Sequence, residues 1–379
     1  ALLMVWGGWQ SLNTPIDVFP DLTAPAVTIV AESHGMPPED VERLVTFPIE
    51  TSMNGAAGVR RVRSVTGIGI SVVTVEFGWG IDIYRARQVI AERLQTTRAS
   101  LPDDIPPPVL APVTSIMGEI MFVALVSDEH DEMALKSVAD WTLRRRLLAV
   151  PGVAEVIPIG GETRQYQVVA DPERLSAYGI SLGDLSAAVG AASQNASAGF
   201  VTQNSQEFLI QGMGRIRSLA DIESAVVVTR DDVPVLVRDV AEVRIGPAPR
   251  RGTGSYRAEN AVILGIQKQP DANTLTLTRR LDETIGELQA TLPQGMRIET
   301  DAFRQADFID IAINNLMTAI RDGAILVILI VILFLVSIRA TAIALIAIPL
   351  SLVVAILSIR WFGGSLNTMT LGGMAIALG

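Results

Sequence analysis

Two long runs of uncharged, mostly aliphatic residues near the carboxyl end most constrain what this chain can fold into. The runs are 323–338, with 16 residues, and 340–359, with 20 residues, and only Arg339 separates them. A helix that crosses about 30 Å of hydrocarbon needs roughly 20 apolar residues. The second run has that length, and the first reaches it when its helix starts near Thr318 and leaves Arg321 among the lipid headgroups. We therefore predict transmembrane helices at 323–338 and 340–359.

Apolar residues also occupy both ends of the sequence. Residues 1–9 are apolar from the first position and lack an initiator Met and a basic segment, so they do not have the pattern of a signal peptide. Residues 366–379 form a third uncharged run of 14 residues. We interpret 1–9 as the end of a first transmembrane helix and 366–379 as the start of a fourth, which makes the chain a fragment. The alternative is that these runs are core helices of a soluble domain.

The polar region between the first two predicted spans lies on one side of the membrane. Arg339 marks a tight turn between two spans, and the positive-inside rule places such a residue in the cytoplasm. The large polar region then faces the periplasm. Trp9, Trp361 and Phe362 suit the aromatic belt at the outer interface.

This polar region contains an internal duplication. The pattern Gly-Val-x-x-Val follows a helical stretch at Gly58 and again at Gly152. Two amphipathic helices, 82–100 and 273–291, each begin with a capping residue and end at a Leu-Pro pair with the same offset. Each copy then reads strand–helix–strand–strand–helix–strand, the order of a ferredoxin-like βαββαβ unit.

The predicted elements of the two copies correspond one to one. In the first copy they are 26–32, 38–54, 59–65, 71–77, 82–100 and a short strand near Val109. In the second copy they are 120–126, 133–148, 153–159, 261–267, 273–290 and 296–300. The second copy carries about 96 additional residues, 162–257, after its Gly-Val-x-x-Val strand. Structureless loops beyond about 12–15 residues are uncommon, so we predict that this insertion is a small α+β domain.

The resulting domain division places the first repeat at 10–113 and the second repeat at 114–161 and 258–303, interrupted by the insertion 162–257. The segment 304–322 has an apolar side with Phe308 and a polar side with Asp307. It fits either an amphipathic helix on the membrane surface that links the second repeat mechanically to the next span, or a plain connector.

Composition argues against several classes of protein. The net charge is −10, from 30 basic and 40 acidic residues, so no basic face is available for phosphate backbones. The absence of cysteine excludes disulfide frameworks, thiol nucleophiles and Cys-ligated metals in this sequence. Nucleotide-binding, nucleophile-elbow, zinc-protease and calcium-loop motifs are absent as well. An enzyme is the class that the sequence supports least.

Few side chains are candidates for metal binding. His34 and Met36 lie in a strand-to-helix connection, where we expect an exposed histidine; a soft-metal site would need further partners. The acidic loop 128–132 around His130 fits a weak divalent-cation site, but a solvated charged loop is the simpler interpretation. Thioethers suit Cu(I), yet scattered methionines are more often core residues. The methionines considered are Met36, Met53, Met117, Met121, Met213 and Met296.

Seven stretches along the chain carry a family resemblance. They are 45–50 (VTFPIE), 82–95 (DIYRARQVIAERLQ), 150–156 (VPGVAEV), 166–169 with Asp171-Pro172, 178–181 (YGIS), 236–241 (LVRDVA) and 371–379 (LGGMAIALG). In this order the chain resembles the amino-terminal half of a resistance–nodulation–division (RND) efflux transporter. The first two stretches resemble the heavy-metal-efflux branch more than the drug branch.

The resemblance implies an α+β membrane protein in which the repeats are porter subdomains and the insertion is a docking domain. It implies a homotrimer in the bacterial inner membrane that works with a periplasmic adaptor and an outer-membrane channel. It also implies transport driven by protons through carboxylates expected just beyond Gly379. The sequence thus supplies no catalytic, cofactor-binding or proton-relay residue, and its metal ligands are unknown. The alternatives are a drug or hydrophobe exporter of the same superfamily and a non-transporting assembly or binding subunit.

Overall fold

A computed structural model describes most of the chain. The described residues are 7, 9–10, 16–17, 24–114, 118–193, 196–204, 206–212, 214–230, 232–250, 252–270, 272–335, 338–362, 366–367, 369–370 and 372–374. Every structural statement below concerns these residues.

The first repeat is a four-stranded antiparallel sheet with helices packed on one face. Its strands are Ala26–Glu32, Val59–Gly67, Ile70–Phe77 and Val109–Leu110. Its helical segments are Pro38–Val41, a π-helical turn Glu42–Thr46, Phe47–Met53, Ile83–Thr97 and a 3₁₀ turn Arg98–Ser100. Alternate strand residues such as Val27 and Ile29 are fully buried under the helices. This alternation is what a sheet with one covered face requires.

The second repeat has the same construction. Its strands are Glu119–Ser127, Val153–Ile159, Val262–Lys268 and Met296–Arg304. Its helical segments are Glu132–Val138, a π-helical turn Ala139–Leu143, Arg144–Leu148 and Thr274–Gln289. In both sheets the strands, counted along the chain, lie side by side in the order fourth, first, third, second. The two copies therefore share one topology.

Local contacts explain why the two copies carry the same sequence landmarks. Asp82 and Asn273 each cap a helix by accepting a hydrogen bond from a main-chain N–H, that of Arg85 at 2.9 Å and that of Thr276 at 3.0 Å. Gly58 and Gly152 both adopt positive φ, +82° and +104°, which residues with a Cβ rarely tolerate. The Gly-Val-x-x-Val pattern thus marks the same left-handed turn before the same strand.

The inserted module leaves and rejoins the second repeat through two paired strands. Arg164–Ala170 runs antiparallel to Ala241–Pro247 along its whole length. The other strands are Ala196–Gln203, Gln206–Gly212, Val226–Arg230 and Val233–Leu236, and the helices are Pro172–Tyr178, Leu182–Ala192, Leu219–Glu223 and Val237–Val240. The module has its own core, which includes Leu185 and Val243. The predicted boundary at residue 257 falls inside a short hairpin, 255–260, whose Tyr256 packs against the second repeat.

One hairpin of the inserted module has no covering layer among the described residues. Strands Ala196–Gln203 and Gln206–Gly212 pair only with each other. Phe200 and Phe208 on these strands are 69% and 51% exposed. An isolated two-stranded hairpin is only marginally stable in water. The exposed apolar side chains of this hairpin form a surface that no other described element covers.

A single helix, Gln305–Leu335, covers both the predicted connector at 304–322 and most of the first predicted span at 323–338. The helix is uninterrupted where the predicted connector meets the predicted span. Among the described residues, only its segment Gln305–Phe334 has both the length and the apolarity needed for a helix to cross a membrane. Its mean hydropathy is 2.4, and its most apolar stretch is not buried in the structure. A 24-residue helix, Ile338–Trp361, follows it.

One local contact lies at residue 366, the predicted start of the fourth span. Leu366–Asn367 forms a parallel bridge with Ile16–Asp17 and is not helical. The side chain of Asn367 accepts a hydrogen bond from the N–H of Thr370 at 2.9 Å, which caps the helical residues that follow. Of the first predicted span, 1–9, residues 7 and 9 are described and helical. The remaining residues of 1–9 and residues 375–379 lie outside the described part.

Candidate functional site at the two junctions of the second repeat

The first junction is the neck through which the inserted module leaves the second repeat. Gly160 on the outgoing chain and Gly254 on the returning chain lie where the two cross: a Cβ on Gly160 would lie 2.4 Å from the main-chain nitrogen of Gly254, and a Cβ on Gly254 would lie 3.0 Å from the carbonyl oxygen of Ile159. The N–H of Ala261 donates a hydrogen bond of 3.0 Å to the carbonyl of Gly254. The crossing is therefore tight and fixed by main-chain contacts.

Charged side chains form ion pairs across this neck. The guanidinium of Arg250, on the returning chain, lies 2.6 Å from Glu162 on the outgoing chain and 3.3 Å from Glu132 at the start of a helix of the second repeat. Asn260 donates a hydrogen bond of 2.8 Å to the same Glu132. Hydrogen bonding to Glu162 raises the pKa of Arg250 above its ordinary value. The network links the inserted module to the second repeat at a fixed angle.

The predicted acidic loop lines an open cavity of about 520 Å³ beside this neck. Within the loop, Asp131 caps the following helix by accepting from the N–H of Ala134 at 2.7 Å, and Asp128 pairs with Arg297 at 3.3 Å. His130 contacts the hydroxyl of Ser127 at 3.1 Å. The carboxylates of Asp128 and Asp131 are therefore engaged in local contacts. Over the described residues, no group of three or more His, Asp or Glu side chains is placed to hold a metal ion.

The other candidate residues lie apart from this junction. His34 is 61% exposed and lies 3.5 Å from Glu32, as expected for a surface histidine. The methionines Met53, Met121 and Met296 are buried in the two repeat cores, and Met36 packs at the edge of the first. Met117 and Met213 lie outside the described residues. The structure thus places the described methionines in or beside the cores and does not group them.

The second junction is the root of the helix Gln305–Leu335, which we call the long helix. It follows the last strand of the second repeat with no connecting residue, because Arg304 ends the strand and Gln305 begins the helix. Arg304 donates two parallel hydrogen bonds of 2.8 Å to the two carboxylate oxygens of Asp282. Its Nε lies 3.4 Å from Asp307 in the first turn of the long helix. The hydrogen bond to Asp282 raises the pKa of Arg304.

Aromatic packing surrounds the same root. The ring of Phe303 lies 5.4 Å from that of Phe122 on the first strand of the sheet and 6.1 Å from that of Phe308 on the long helix. Ile309 of the long helix is fully buried. Such tilted ring contacts stabilise packing beyond the burial of their area. The first turns of the long helix are thus anchored on the second repeat.

Arg250, Glu162, Arg304 and Asp282 were not predicted from the sequence. Glu162 and Arg250 are 88 positions apart, and Asp282 and Arg304 are 22 apart, so no local spacing signals either pair. The side chains at both junctions form ion pairs and hydrogen bonds. What this arrangement can do is fix the orientation of the second repeat relative to its two neighbours.

Comparison with known proteins gives matches over the whole chain. The sequence model described as the AcrB/AcrD/AcrF family matches residues 1–379. The chain is 36% identical over 381 residues to the cation efflux system protein CusA of Escherichia coli K12, covering 100% of this chain and 36% of that protein. It is 32% identical over 388 residues to the cobalt-zinc-cadmium resistance protein CzcA of Cupriavidus metallidurans, covering 99% of this chain and 36% of that protein.

The fold matches solved structures as well. A crystal structure of a heavy metal efflux pump, crystal form II, aligns with a TM-score of 0.89 and 29% identity over 97% of this chain and 37% of that chain. The chain thus spans a little over a third of the length of the relatives that it matches.

Proposed function

This chain belongs to the AcrB/AcrD/AcrF family of efflux transporters, the RND transporters, and we propose that it forms the amino-terminal part of a proton-driven pump that exports heavy-metal cations. The observation that carries the proposal is the alignment of the whole chain, at 36% identity, with a cation efflux protein. In this proposal the protein lies in the bacterial inner membrane and moves its substrate without covalent chemistry.

The arrangement of the domains supports a separate role for each of them. We assign the two βαββαβ repeats as porter subdomains and the inserted module as the docking domain. The helices Gln305–Leu335 and Ile338–Trp361 are assigned as the second and third membrane spans, with Arg339 on the cytoplasmic side. Residues 323–338 and 340–359 carry no charge, whereas ionisable side chains inside a membrane mark ion paths. We propose that the proton-carrying carboxylates lie outside these two segments.

The exposed hairpin of the inserted module supports assembly. Its two strands have no third strand or helix over them within the described residues, and Phe200, Phe208 and Leu209 are each at least half exposed. Burying such residues stabilises an interface at roughly 25 cal/mol per Å² of apolar surface. We propose that the hairpin inserts against a neighbouring protomer of a homotrimer, and that the trimer works with a periplasmic adaptor and an outer-membrane channel.

Metal efflux by the product of the complete reading frame tests the proposal. The protein is purified, reconstituted into liposomes with an imposed proton gradient, and assayed with Cu⁺, Ag⁺, Zn²⁺, Co²⁺ and a set of hydrophobic drugs. We expect movement of at least one metal ion that stops when an uncoupler collapses the gradient; protein-free liposomes are the control. Export of drugs without metals would assign the protein to the drug-exporting class. Binding of partners with no transport would identify an assembly subunit.

A further inference from the structure

The junction between the second repeat and the long helix has no flexible part. The strand Met296–Arg304 passes directly into Gln305–Leu335, and the first repeat has no counterpart, because its last strand, Val109–Leu110, leads into extended chain. Where a strand meets a helix without a loop, the angle between them is set by the side chains around the turn. Arg304 is the residue at this turn.

Arg304 contacts three elements at once. It belongs to the last strand, it holds Asp282 on the helix Thr274–Gln289, and it reaches Asp307 on the long helix. Its side chain is only 19% exposed, and Asp282 is 39% exposed. The helix that carries Asp282 is itself fixed, since Leu281 beside it is fully buried in the core of the second repeat. The guanidinium therefore connects the rigid body of the repeat to the first turn of the long helix.

The contact between Arg304 and Asp282 fixes the relative orientation of the two side chains as well as their distance. Two parallel N–H···O bonds from a planar guanidinium to one carboxylate fix both the distance and the rotation of the partners. A lysine at the same place would supply a point charge with rotatable donors and no such plane. Partial burial also limits screening, so the pair keeps its strength in salt better than an exposed pair does.

We propose that Arg304 is a positioning residue for transport: by clamping Asp282 and Asp307 it makes the long helix move with the second repeat. The inference rests on the proposed transport function. A displacement of the second repeat then tilts the whole long helix. Without the contacts of Arg304, the turn between strand and helix bends, and part of the displacement does not reach the long helix. Arg304 touches neither the substrate nor a proton carrier in this role.

The test compares variants at Arg304 with a control on the same strand. Arg304→Lys keeps the positive charge but lacks the planar guanidinium with its two parallel donors. Arg304→Met removes both the charge and the guanidinium, and Asp282→Asn removes the negative charge of the partner. Arg297→Met is the matched control, because Arg297 lies on the same strand, is 51% exposed, and forms only exposed ion pairs, with Asp128 at 3.3 Å and with Glu299 at 3.9 Å. Each variant is made in the complete transporter and assayed for metal efflux in proteoliposomes, with kcat and KM measured separately.

We expect Arg304→Lys, Arg304→Met and Asp282→Asn each to lower kcat about tenfold or more while KM for the metal stays within about twofold, since a positioning contact acts on the moving step and not on binding. The double variant Arg304→Met/Asp282→Asn should be no slower than Arg304→Met alone, because removing Arg304 already removes the contact with Asp282. Arg297→Met should transport like the unmodified protein.

Two results would overturn the inference: Arg304→Lys and Asp282→Asn that fold and transport at the unmodified rate, or a rise in KM without a fall in kcat. Size-exclusion profiles and melting temperatures identify variants that fail to fold, and Arg304→Lys, the conservative change, decides the matter if Arg304→Met does not fold. An unmodified protein that moves no metal refutes the proposed function instead, so the two failures are distinguishable.

Discussion

A methyl group added at Gly254 tests how tightly the neck of the inserted module is crossed. A Cβ at this position would lie 2.5 Å from the carbonyl oxygen of Ala261 and 3.0 Å from that of Ile159. Both oxygens are main-chain atoms at the ends of paired strands, so neither can rotate away as a side chain can. Gly254→Ala therefore displaces Gly254 mainly from Ala261 on the same returning chain, where the clash is closest, and also crowds Ile159 on the outgoing chain. Gly252→Ala is the control, because a Cβ there meets nothing within 4 Å.

The expected cost follows from the cost of overpacking. Inserting a methyl group into a closely packed site lowers stability by about 1–3 kcal/mol. Gly254→Ala should fall in the middle or upper part of this range, because the neighbouring main-chain atoms cannot move aside as a side chain can. A local destabilisation of about 2 kcal/mol corresponds to a roughly 30-fold increase in the population of the opened neck. Gly252→Ala should change local stability by less than about 1 kcal/mol, and in the stabilising direction, because it restricts only the unfolded chain.

Hydrogen–deuterium exchange with mass spectrometry measures this opening on the detergent-purified transporter. The reporting amide is that of Ala261, which donates to the carbonyl of Gly254 at 3.0 Å. Peptides covering 255–268 should exchange about 30-fold faster in Gly254→Ala and at the unmodified rate in Gly252→Ala. Peptides from the first repeat, such as 26–32, should not change in either variant. Equal exchange of the two glycine variants would refute the tight crossing described here.

Three further predictions concern the first repeat and the proposed topology. Hydrogen bonding from Arg61 lowers the pKa of Glu76 below its ordinary value, so the folded state favours the carboxylate. This stabilisation is present above the unfolded-state pKa and is lost as the pH falls through the lowered pKa of the folded state, so the difference in melting temperature between the unmodified protein and Glu76→Gln should be constant near neutral pH and shrink as the pH is lowered through the acid range. The hydroxyl of Ser33 is buried and has no hydrogen-bond partner among the described residues, so Ser33→Ala should leave stability unchanged or raise it by up to about 1 kcal/mol; a loss of more than about 1 kcal/mol in a thermal melt would contradict this. Because residues 1–379 contain no cysteine, Arg339→Cys and Tyr178→Cys introduce thiols where this part of the protein has none, and a membrane-impermeant thiol reagent added from the periplasmic side should label position 178 and not position 339.

Several elements of the fold could be predicted to the residue. The strands Ala26–Glu32 and Val153–Ile159 have their predicted limits, because alternating burial and flanking turns are local signals. The caps Asp82 and Asn273 were found for the same reason: a capping side chain acts on a main-chain N–H three residues away. The last strand was predicted to end at residue 300 and extends to Arg304, because it resumes pairing with Phe122 after an irregularity that only its partner strand determines.

Candidate site residues were a harder problem. His34 and the loop around His130 drew attention by their residue types, yet the structure gives them ordinary surface and capping contacts. The residues at the two junctions are common ion-pair formers, and no motif distinguishes them in the sequence. Their significance comes from where the neck and the long helix meet the second repeat, which depends on packing between distant segments.

By itself the sequence determined the duplicated strand and helix pattern, the position of the insertion and the apolar segments, since each depends on periodicity or length within a few turns of chain. Only the tertiary structure decided that Arg304 holds Asp282 and that Arg250 joins Glu162 to Glu132. Those contacts join residues through space, and their free energy depends on distance and burial that no local pattern encodes.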